Sequence, residues 1–135
     1  TQLANELNIE HSISLPGFMQ NPFGFMRGAK LFVLSSRWDG FGNVLVEAMA
    51  CGVPVLSTDC PSGPAEILAD GKFGPLTPVG DAAALAAAML KTLEHPLEAE
   101  TLKNRAQDFS SDVIVPQYLE ALLPDRASHR AVSGL

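Results

Sequence analysis

The apolar residues fall in short blocks whose period changes along the chain, with turn residues between them. Leu31 to Leu34, inside Lys30 to Ser35, is a short apolar run of strand type. From Asn43 to about Cys51 the pattern becomes helical. Asn43 suits the N-cap, Gly52 suits the C′ position, and Pro54 prevents continuation. Val53 to Thr58 is a second continuous strand-type run. Upstream, Ile13 and Leu15 alternate with Ser12 and Ser14, which predicts a strand over Ile9 to Leu15. Leu3 and Leu7 share one face of a helix end before it. Asn21 and Pro22 open a short helix to about Gly28, by cap and first-position preference, with Phe25 and Met26 assigned to the core. Phe73 to Thr77 reads as a last strand, held to an edge by Pro75. Asp81 caps an alanine-rich helix to about His95, ended by Pro96, with Leu85, Met89 and Leu93 as its buried stripe. Two more helices follow: Leu97 to Gln107, polar and amphipathic, and Asp112 to Leu123, which Pro116 should start or kink. Pro124 to Leu135 is a polar tail, expected to be disordered.

Four strands alternating with helices predict an α/β fold, an open parallel sheet of Rossmann-like type covered by helices. A chain of 135 residues with 47% hydrophobic content is long enough for one domain with its own core. No apolar run reaches the length of a membrane span, and no cleavable leader pattern opens the chain. The net charge of −6 argues against nucleic acid as a partner, because a phosphate backbone needs a basic surface. Cys51 and Cys60 are expected to be free and reduced, and two thiols without nearby histidines make a poor metal site, so no metal ligands are assigned. His11, at the start of its strand, reads as a surface histidine.

The chemistry concentrates between the two central strands. Gly40 and Gly42 flank Phe41 and allow a sharp turn with close approach to a ligand. A strand, a glycine turn and a helix start place free amides and the positive end of the helix dipole at one point, which is an anion site. Asp39 precedes the turn and Glu47 lies one helical turn beyond Asn43. A carboxylate repels phosphate but accepts hydrogen bonds from sugar hydroxyls. Phosphate-binding amides between two such carboxylates suit a nucleotide with a sugar at each end of its pyrophosphate. Part of the positive potential comes from the dipole, and Arg37 or Lys72 is a candidate for more.

Asp39 and Glu47 stand with seven residues between them, followed by Ala48-Met49-Ala50-Cys51-Gly52-Val53-Pro54-Val55. This stretch resembles the signature of the family 4 (group 1) retaining glycosyltransferases of the GT-B fold. The resemblance runs from about Leu3 to Leu123. It implies that residues 1–123 form part of the C-terminal, donor-binding domain, lacking its first strand–helix units. It implies that Glu47 holds the ribose hydroxyls of a nucleotide-sugar and that Asp39, as catalytic-site residue, contacts the transferred sugar. The backbone of Gly40, Phe41, Gly42, Asn43 and Val44 would hold pyrophosphate and sugar. Gly17 and Phe18 match a loop beside the nucleotide base; a simple turn with Phe18 in the core is the competing reading. The chain has Asp39 where the family usually has Glu, one methylene longer. The implied enzyme transfers a hexose, with retention of configuration, to a glycan or lipid-linked acceptor. It uses no cofactor and needs an N-terminal acceptor domain absent from this sequence. It would work in the cytoplasm, at the inner face of the membrane through peripheral association.

Pro64 is placed to begin a short helix carrying Glu66, after the stiff loop Cys60-Pro61-Ser62-Gly63. Glu66 admits two readings, a site residue or a helix-start carboxylate favoured by the dipole. A dinucleotide-type Rossmann site fits poorly, because Leu45 stands where the third small residue belongs. A P-loop is excluded by the lack of Gly-Lys-Ser/Thr. A non-catalytic nucleotide-binding or interaction module is the alternative from a different class.

Overall fold

The computed structural model describes residues 2–123. In chain order the elements are α1 (Gln2–Glu6), a 3-10 turn (Glu10–Ser12), α2 (Phe23–Gly28), β1 (Phe32–Leu34), α3 (Asn43–Ala50), β2 (Val55–Thr58) and α4 (Pro64–Ile67). They continue with β3 (Leu76–Thr77), α5 (Ala82–Glu94), α6 (Ala99–Gln107) and α7 (Ser111–Leu122). The strands form one parallel sheet in the order β1-β2-β3. Phe32 pairs with Val55 and Leu34 with Ser57 across the first ladder, and Thr58 pairs with Thr77 across the second. The α/β class expected from the alternating pattern is the one observed.

β2 is central, and all four of its residues, apolar Val55 and Leu56 and polar Ser57 and Thr58, are buried, as a strand covered by helices on both faces of a parallel sheet should be. Leu45, Ala48 and Met49 of α3 pack with Val55, Ile67, Leu68, Leu102 and Ala106 in one core. Full burial of each leucine in that core contributes about 1.5–3 kcal/mol relative to exposure. α6 lies along α3, and α5 packs on β2 and β3. The end of α3 is a Schellman turn: the amide of Val53 donates to Ala48 and that of Gly52 to Met49, with Gly52 left-handed at φ +75°. That expected stop is borne out. So is the cap on α5, where the Asp81 carboxylate accepts from the Ala84 amide at 2.8 Å. The helix beginning at Pro64 and the edge position of the last strand also stand as expected.

Several expectations are corrected. Ile9 to Leu15 is not a strand: Glu10–Ser12 is a 3-10 turn and the rest forms no ladder. Ile13 has extended torsions, but extended backbone becomes a strand only with a neighbour to bond, and none lies beside it among the described residues. Three strands are therefore observed where four were expected. Asn43 is the first residue of α3 and not its cap; left-handed Gly42 takes that position. Asn21 sits one residue before its expected place, but its side chain still accepts from the Phe23 amide at 3.2 Å. Phe25 is exposed while Met26 is buried. On α5 the buried line runs through Thr92, and Leu93 is exposed. Pro116 lies inside α7, which starts at Ser111 and runs through it. The expected tail, 124–135, lies outside the described residues.

Candidate functional site

β1 ends at Leu34, and two hydroxyls of β2 govern how the chain leaves it. Ser57 Oγ donates to the Leu34 carbonyl at 3.2 Å, and Thr58 Oγ1 donates to the Ser36 carbonyl at 2.5 Å. Both hydroxyls are buried, so these bonds also satisfy groups that water cannot reach. The chain then passes exposed Arg37 and Trp38 to half-buried Asp39, whose carbonyl accepts from Ser62 Oγ at 3.2 Å.

The turn into α3 is built by two glycines for different reasons. Gly42 has φ +84°, and a Cβ there would meet only ordinary contacts at 3.6 Å with Leu34, Leu45 and Ile67. Its torsion is what requires glycine. Gly63 has φ +55°, and a Cβ there would fall inside the backbone of Phe41. The loop Cys60-Pro61-Ser62-Gly63 is thus seated directly on the glycine turn, and the Gly63 site excludes any side chain.

The consequence is a preset helix start. The first amides of α3, at Asn43 and Val44, have no carbonyl one turn earlier to bond and face outward with the positive end of the dipole. Asn43 and Glu47 are four apart and share one helix face. Glu47 and Asp39 are both half-buried, and neither enters an ion pair among the described residues. Asp39 stands directly before the glycine turn, Gly40 to Val44 form the turn and the first residues of α3, and Glu47 lies one helical turn further in. The arrangement can accept an anion on its amides and hydroxyls on its carboxylates.

Gly17 and Phe18 are not packed into it. Phe18 is 94% exposed, which removes the reading that placed its ring in the core. Lys72 is engaged elsewhere, its ammonium 5.3 Å from the centroid of the Phe73 ring, which leaves Arg37 as the exposed cation nearest in sequence to the turn. Cys51 and Cys60 are free. A groove of about 520 Å³ adjoins the turn, with Phe41, Asn43 and Glu66 on one side and Gln117 and Tyr118 of α7 on the other. Ser57, Thr58, Ser62 and Gly63 were absent from the expected site. A polar pair inside an otherwise apolar strand, and a glycine directly before a helix-starting proline, are the signals that could have found them.

Residues 1–109 match the model of the family described as glycosyl transferases group 1. Among curated relatives, the chain is 35% identical over 105 residues to the N-acetylgalactosamine-N,N'-diacetylbacillosaminyl-diphospho-undecaprenol 4-alpha-N-acetylgalactosaminyltransferase of Campylobacter jejuni, covering 78% of this chain and 29% of that protein. Among solved structures, sucrose-phosphate synthase from Thermosynechococcus elongatus superposes with a TM-score of 0.76 at 29% identity, over 94% of this chain and 33% of that one. Anabaena HepE, solved in complex with UDP, superposes with a TM-score of 0.74 at 29% identity, over 90% and 35% respectively. The chain spans about a third of the length of these proteins.

Proposed function

The chain belongs to the glycosyl transferases of group 1, and from that premise we propose that its glycine turn binds the diphosphate of a nucleotide-sugar donor. The observation that carries this reading is the outward-facing start of α3 set between Asp39 and Glu47. The amides of Gly40 to Val44 neutralise the diphosphate without a metal, with the helix dipole behind them. Glu47, on the face of the helix start, accepts from the ribose hydroxyls. Asp39, at the other side of the turn, accepts from the hydroxyls of the sugar to be transferred. Phe18, fully available at the surface, lies beside the base.

In this reading the chain is the donor-binding part of a two-domain GT-B hexosyltransferase. The longer protein moves the sugar to a glycan or lipid-linked acceptor with retention of configuration, at the cytoplasmic face of a membrane. No helix of the described residues is long and apolar enough to cross a membrane, so attachment of this part would be peripheral. UDP bound in the solved relative from Anabaena supports a nucleoside diphosphate as the core of the donor. The test is separate titration of UDP, GDP and ADP while recording amide NMR shifts. Perturbation centred on Gly40 to Val44 by at least one of them is expected. If none perturbs those amides, the site is not a nucleotide site.

A further inference from the structure

Among the described residues Arg105 is the most enclosed cation, and each of its three guanidinium nitrogens has a partner. Its side chain is 17% exposed in a chain of net charge −6, and it lies far in sequence from the glycine turn. Its Nε donates to the Ile67 carbonyl at 3.0 Å, a second guanidinium nitrogen to the Glu66 carbonyl at 2.6 Å, and the third to the Asp108 carboxylate at 2.9 Å. Its Cζ lies over two rings, 5.2 Å from the centroid of Phe73 and 4.6 Å from that of Phe109.

Two routes lead from this guanidinium to the same residue of the turn. Along one, Arg105 grips the last carbonyls of α4, where a cation is also favoured by the helix dipole. The other end of that short helix is Gly63, seated against the Phe41 backbone. Along the other, Arg105 lies over Phe109, whose ring meets Phe41 edge-on at 5.7 Å and 66°. Phe41, Gly63, α4, Arg105 and Phe109 form a closed ring of contacts, so Phe41 is held through both its backbone and its ring.

We infer that Arg105 is a positioning residue for the donor turn: it fixes Phe41, and thereby the amides on either side of it, from a helix that never reaches the ligand. The inference rests on the proposed donor site. Lysine could not replace it, since an ammonium lacks the planar fork that reaches two carbonyls at once. Because both routes end at Phe41, weakening either should loosen the turn before it unfolds the domain.

The test uses the 135-residue chain with Arg105→Lys, Phe109→Leu and, as control, Leu102→Ala. Leu102 is fully buried on the same helix and shares the core with Ile67, but it supplies none of the hydrogen bonds or ring contacts that link Arg105 to Phe41. Without ligand, Arg105→Lys and Phe109→Leu should each shift the Gly40, Gly42 and Gly63 amides. Each should also cut affinity for whichever of UDP, GDP and ADP the wild type binds by about five- to tenfold, the low end of ordinary coupling between sites. Leu102→Ala should lower the melting temperature at least as much while leaving those amides and the affinity unchanged. Binding should also shift the Arg105 Nε proton of the wild type, since coupling is reciprocal. Wild-type amides and affinity in Phe109→Leu, which keeps every Arg105 hydrogen bond, would overturn the inference even if Arg105→Lys failed to fold. A wild type that binds none of the three nucleotides is a different failure, that of the donor site itself.

Discussion

Replacing Gly63 by alanine isolates the contact on which the geometry of the turn depends. Two costs add. At φ +55° and ψ −71° an L residue lies outside the left-handed well and carries at least that well's penalty of about 1–2 kcal/mol. The new methyl would also overlap the Phe41 backbone, and shifting that backbone costs roughly another 1–3 kcal/mol, as overpacking does. Alanine stiffens the unfolded chain, which returns about 0.4–1 kcal/mol. The net expected loss is about 2–4 kcal/mol. Gly80→Ala is the control. Gly80 has φ +85°, and a Cβ there meets nothing within 4 Å. It carries the torsional penalty and the same return, so its net loss is about 1 kcal/mol. Urea unfolding followed by far-UV circular dichroism measures both. With a slope of about 1.5 kcal/mol per molar, the midpoint should fall by roughly 2 M for Gly63→Ala and well under 1 M for Gly80→Ala. Equal midpoint shifts for the two variants would refute the claim that loop and turn touch backbone to backbone.

Two further outcomes bear on the ligand. Glu47→Ala should weaken nucleoside diphosphate binding by about 1–3 kcal/mol, the cost of a lost charged hydrogen bond. Asp39→Ala should weaken the complete donor more than the diphosphate; calorimetry showing equal losses on both ligands for both variants would contradict the assigned roles. In the proposed two-domain reading the chain alone should not transfer sugar, because in-line positioning of two substrates contributes up to ~7–11 kcal/mol and the acceptor side would lie outside these residues. A protein extended N-terminally to the full length of its relatives should transfer it with chelator present. Comparable rates from both would sink the two-domain account, and chelator-sensitive transfer would sink the metal-free one.

Local rules carried the sequence reading where interactions stay within a few residues. The Asp81 cap of α5, the proline start of α4, the Schellman stop at Gly52, the buried run of β2 and the glycine turn between two acids are short-range patterns, each with a conformational reason to occur. Such features were enough to read the α/β class and to mark the strand–turn–helix from Asp39 to Glu47 as the candidate site. Whether Ile9 to Leu15 becomes a strand was beyond them. Alternation prepares a face, but the ladder needs a neighbour, and only tertiary structure decides that. The position of Leu93 and Thr92 on α5 likewise depended on where the sheet lies, not on helical period. What makes the turn rigid was also invisible. Gly63 looked like one more loop glycine until its Cα was found against Phe41. Arg105 lies on a helix whose sequence reads only as polar and amphipathic, and it is the fold that brings it to Ile67, Glu66, Phe73 and Phe109. The residues of the proposed donor site lie within one strand–turn–helix and obey local chemistry. Those that hold them in place are distant in sequence, and packing alone selects them.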